Sequence, residues 1–154
     1  MRVHAERIFR IVSKSYDLVL WSSGRDISRE EIAENYLALS DVGARRIFSE
    51  PVYAFYCDVL RRYPDVELTA EEDLASNPWA SPVEFEEDHV VLRILPEHHD
   101  DVSAFILRLA AWYRLACYDA QTQTVHLPSG REVPMIDSSW RKWLEEIFED
   151  RNWR

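Results

Sequence analysis

With 154 residues, ordinary apolar and charged fractions and only two cysteines, the chain has the makings of one globular domain that needs neither metal nor disulfide to hold a core. No apolar run reaches the roughly 18 residues that a membrane span requires, and Gly 3 with Pro 7 excludes low-complexity sequence. The net charge of −10 is unevenly spread: between Asp65 and Asp101 twelve acidic residues face one base, Arg93. Such polarity argues against binding nucleic acid or an anionic membrane, since phosphate contact needs basic patches. It suits a basic protein partner, although acidic surfaces also keep proteins in solution.

Residues 1–154 read as a single domain, with 1–14 as a mobile N-terminal extension and 128–154 as a tail carrying a last helix. Glu6 and Arg10 interrupt any apolar core near the start, so no signal peptide is read there and the expected compartment is the cytoplasm. Tyr16 to Trp21 is a nearly continuous apolar run ended by Ser22-Ser23-Gly24, which predicts a strand buried on both faces. Ser28 and Glu31 have the spacing of a capping box, and Ile32, Tyr36 and Leu39 follow at helical spacing until Gly43. Pro51 opens a second helix with Val52, Phe55, Tyr56, Val59 and Leu60 on one side; Arg61, Arg62 and Pro64 end it.

Residues 65–82 form a long acidic loop. Within it Trp79 is either a plug pinning the loop to the core or an exposed anchor, and the plug is favoured because large aromatics bury when they can. Val83 and Phe85 alternate with Glu84 and Glu86, Glu87 and Asp88 make a turn, and His89 to Leu95 returns: a hairpin with one dry and one acidic face. Asp100 and Asp101 fall in the first turn of a third helix, where carboxylates complement the helix dipole. Val102, Phe105, Ile106, Leu109 and Tyr113 are its buried stripe. A second hairpin joins Leu115–Asp119 to residues 124–127. Asp137 or Ser138 then caps a final helix with Trp140, Leu144, Ile147 and Phe148 on one face, which either closes the core or binds a partner. The order β-α-α-β-β-α-β-β-α predicts an α+β two-layer sandwich: a mixed or antiparallel sheet of four to five strands with helices mainly on one face.

No catalytic signature is present. His98-His99-Asp100-Asp101 looks like a metal or phosphohydrolase ligand set, but successive helix side chains point about 100° apart and cannot converge on one ion. Ser22-Ser23-Gly24 lacks the flanking glycines of a nucleophile elbow. Glu84/Glu86 and Glu86/Asp88 are carboxylate pairs with no apolar pocket to split their pKa values. Cys57 and Cys117 read as buried free thiols.

With the strand YDLVLW, the loop NPWASP, the strand HVVLRIL, the following helix and CYDAQ in view, residues 15–127 resemble small bacterial immunity proteins of polymorphic-toxin and type VI secretion systems. Ala120 stands where those proteins usually carry proline. The resemblance implies a stoichiometric inhibitor, not an enzyme, with no cofactor and no metal, that covers the active site of a cognate toxin with a basic face. Glu71, Glu72, Asp73, Glu84, Glu86, Glu87 and Asp88 are the expected partner-facing charges, with Trp79 as the aromatic anchor. The alternatives are an acidic adaptor or regulatory module that self-associates through its tail, and a hydrolase built on the His98–Asp101 cluster. Oligomeric state is left open.

Overall fold

A computed structural model of the chain describes residues 15–41, 43 and 45–135. The predicted N-terminal extension and the predicted last helix lie outside them. The apolar strand β1 (Tyr16–Ser22) has no polar face, so it must be flanked on both edges and covered on both sides. It is: β3 (His89–Ile94) pairs along one edge and β4 (Leu115–Asp119) along the other, both antiparallel. β2 (Glu84–Glu86) extends the sheet beyond β3, while β5 (Thr124–His126) and β6 (Glu132–Pro134) extend it beyond β4. The result is a six-stranded antiparallel sheet in the order β2-β3-β1-β4-β5-β6.

Among the described residues three helices cover it. In α1 (Arg29–Ser40) both halves of the capping box form: Ser28 Oγ accepts from the Glu31 N–H at 3.2 Å and Glu31 Oε1 accepts from the Ser28 N–H at 3.3 Å. α2 (Glu50–Arg62) has Pro51 in its first turn and buries Val52, Phe55 and Val59. α3 (His99–Trp112), entered through a 3-10 turn at Pro96–His98, buries Val102, Ile106 and Ala110. Period-two alternation along the strands sorts the core in two. Leu18, Leu20, Val90, Leu92, Ile94, Leu115 and Cys117 face α2 and α3; Val19, Trp21, Val91, Ala116, Tyr118, Val125 and Val133 face α1. Tyr36 of α1 sits edge-on to both Trp21 (5.8 Å) and Tyr118 (5.5 Å), an arrangement that suits aromatic quadrupoles.

The α+β class and the antiparallel pairing agree with the sequence reading; the strand count and layering do not. β6 adds a sixth strand because Val133 lies opposite Val125 on the α1 face. α1 takes the face opposite to α2 and α3, since Val19 and Trp21 leave that side of the sheet apolar too, so the described residues stack in three layers. Within this frame β1, α2, β2, β3, α3 and β4 follow the β-α-β-β-α-β plan termed ferredoxin-like, with strand order β2-β3-β1-β4 and both helices on one face. No described helix is long and apolar enough to cross a membrane.

The acidic loop is well tied down. It folds into two 3-10 turns, Val66–Leu68 and Glu71–Ser76. Buried Asn77 donates to the Pro64 carbonyl and to Thr69 Oγ1, both at 2.8 Å, and accepts the Trp79 N–H at 3.0 Å. Trp79 is 3% exposed; its indole N–H donates to the Tyr63 carbonyl at 3.0 Å, and its backbone bridges to Ile94. It is the plug.

Candidate functional site

The β2–β3 hairpin holds four of the predicted partner-facing acids, in unequal situations. Glu84 and Glu86 lie on the α1 face of β2, Phe85 on the α2 face. Glu84 accepts from Arg93 Nη1 at 3.1 Å; the guanidinium is 6% exposed and has Asp17 as a second carboxylate neighbour at 4.0 Å. Burial raises the Asp17 carboxyl above its ordinary value, against the pull of the Ser15 hydroxyl and Arg93. The single base of the acidic stretch is therefore a buried structural cation, and Glu84 is committed to it. Asp88 is committed as well: one oxygen meets His89 Nδ1 at 2.8 Å, the other Arg46 Nη1 at 3.3 Å. Arg46 also donates to the carbonyls of Ala38, Leu39 and Asp41, closing the C-terminal end of α1. Glu86 and Glu87 are the exposed pair.

Beside them stands an aromatic cluster assembled from three segments. Phe85 stacks on Tyr56 at 4.8 Å and meets Tyr53 at 5.6 Å; Tyr53 in turn meets Phe48 at 5.6 Å. Phe48 is 54% exposed, Tyr53 46% and the adjoining Ile47 77%. The α1–α2 connection is held against the hairpin by the Ser49 N–H, which donates to the Glu87 carbonyl at 2.8 Å. Carboxylates and exposed aromatics thus share one edge of the sheet. The sequence reading did not single out Ile47, Phe48 or Tyr53. The available signal was an Ile-Phe pair in a helix–helix connection, where polar residues are the rule.

Glu71, Glu72 and Asp73 are exposed on their 3-10 turn, at the other end of β3: their loop is clipped beside Ile94, whereas the hairpin turn adjoins His89. The predicted charges therefore form two groups, not one patch. Asp73 borders a groove of about 640 Å³ between the loop and the start of α3, where Arg62, His98 and Asp101 also line the wall. Trp79 leaves the set of candidate anchors, because a side chain packed under the loop has no surface to offer a partner.

The remaining sequence candidates scatter. His98 faces the groove, whereas the His99 ring stacks on Tyr16 at 3.8 Å with Nδ1 3.2 Å from Asp100. Among the described residues no three His, Cys, Asp or Glu side chains are grouped to hold a metal ion. Ser22-Ser23-Gly24 is a turn out of β1 in which Gly24 takes φ +72° and donates to the Arg114 carbonyl at 3.0 Å. Cys117 is buried, which pushes its thiol far up, while Cys57 is half-buried on α2. No family model, no curated protein and no solved structure matches the chain.

Proposed function

We propose that this is a cytoplasmic immunity protein: a non-enzymatic inhibitor that binds a cognate bacterial toxin one to one and covers its basic active-site face. The observation that carries the reading is the placement of exposed carboxylates beside exposed aromatics. Exposed Glu86 and Glu87 belong to the hairpin whose Phe85 packs against Tyr53, and the Glu87 carbonyl is tied to Ser49 next to Phe48. Charges and aromatics therefore flank the two faces of one sheet edge that is open among the described residues. Exposed aromatic anchors with charged groups at their margin suit a protein-binding surface, and the net charge of −10 steers a basic partner toward it. The second acidic group, Glu71 to Asp73, widens the attractive field without adding an aromatic anchor.

The test is co-expression with the product of the adjacent open reading frame. The proposal expects rescue of growth and a one-to-one complex whose formation slows as salt is raised. Unrelieved lethality at matched expression, with no complex recovered, rejects it.

A further inference from the structure

We infer that the toxin is bound by strand addition: an extended segment alternating basic and apolar side chains pairs with the outer edge of β2. This deepens the proposed function and rests on it.

β2 is an edge strand, and β3 occupies only one of its sides. The two-residue turn at Glu87-Asp88 closes on a hydrogen-bonded pair, Glu86 opposite His89. The alternation of an antiparallel ladder then turns the N–H and C=O of Phe85 outward. Neither finds a backbone partner among the described residues. A strand laid there would find two different surfaces. Its side chains on the α1 face would meet the exposed Glu86, with Glu84 beside it held in its ion pair to Arg93; those on the α2 face would meet Phe85, Tyr53 and Phe48. That pattern selects alternating Lys or Arg and apolar residues, the register logic of β-augmentation.

Charge decides the occupant. A second copy pairing through β2 and centred on Phe85 would set Glu84 of one chain opposite Glu86 of the other on the same face. Like charges directly opposite are destabilising. The carboxylates alone could be explained as a guard against such self-pairing. A guard would not leave Ile47, Phe48 and Tyr53 exposed next to it. The far edge of the sheet is different: β6 carries Pro134, which lacks an N–H, and among the described residues it has no comparable cluster of exposed aromatics.

The probe is a synthetic octapeptide alternating Lys and Val, titrated into the isotope-labelled full chain and followed by amide chemical shifts. The inference expects shifts concentrated at residues 84–86, 48 and 53. It expects affinity to fall about tenfold or more when every peptide nitrogen is methylated, or when Phe48→Ala and Tyr53→Ala are combined. Both substitutions lie on exposed side chains, and unchanged thermal melting confirms that the variant is folded. Equal binding by the methylated peptide would mean charge attraction without strand pairing and overturns the inference, as does an absence of localised shifts at millimolar peptide. A double variant that still protects cells from the toxin while failing to bind the peptide sinks strand addition and leaves the immunity reading standing. Peptide binding without any neutralised toxin does the reverse.

Discussion

Trp79 shows how one side chain can fix the meaning of a long loop. Its indole fills the space beneath residues 64–78 and its N–H satisfies the Tyr63 carbonyl, so Trp79→Ala should cost about 3–5 kcal/mol of stability in urea unfolding. Trp79→Phe keeps most of the bulk but strands that carbonyl, and should cost about 1–3 kcal/mol. Asp26 offers a pH-dependent test. Hydrogen bonds from the Ser129 hydroxyl and then the Ser129 N–H hold its carboxyl below the ordinary value. A depressed carboxyl contributes stability above its unfolded pKa of about 3.9 and loses it as pH falls through the lower folded value. Ser129→Ala should therefore lower the melting temperature at neutral pH and flatten its decline as the pH falls below about 4. Asp17 titrates in the opposite sense: burial raises its carboxyl, so protonation on acidification favours the folded state.

At the scale of elements, the local signals were the legible ones. The capping box at Ser28 and Glu31, Pro51 in the first turn of α2 and the stripe on α3 depend on residues within a few positions of one another. The first two formed as read, while on α3 Val102 and Ile106 are buried, Phe105, Leu109 and Tyr113 are half-buried, and Ala110 joins the buried set. Ser28→Ala should accordingly cost about 1 kcal/mol, measured by thermal or urea unfolding, with Ser28→Gly milder. β6 was not legible. Glu132-Val133-Pro134 has a single apolar residue, and it becomes a strand only because β5 supplies a partner about eight positions earlier. Nor does a helix that follows a strand apolar on both faces announce which face it will take, which is why α1 was assigned with the others. The candidate site was half visible. The alternation of Glu84, Phe85 and Glu86 marked an acidic face, but the aromatic cluster draws on residues 47–48, 53–56 and 85, and no local pattern unites them.

For the molecule as a whole, the division of the acids into two groups has a kinetic consequence. Charge reversal of Glu86 and Glu87 should slow association with a basic partner at low salt, as should reversal of Glu71 and Glu72. The two effects should be nearly additive, because sites more than about 10 Å apart with no shared partner couple weakly. Stopped-flow association rates across a salt series check both statements. Glu84 is the wrong residue for that experiment: its reversal sets a lysine against the buried guanidinium of Arg93, and the loss would appear first in stability. The position of β1 matters in another setting. This central strand leaves the ribosome well before either neighbour exists, with β4 following roughly a hundred residues later. Until then its apolar run has two open edges on the nascent chain, with only α1 and α2 on hand to cover its faces. Synthesis therefore passes through a long interval in which the future centre of the sheet is its most aggregation-prone segment, and chaperones have their natural target there.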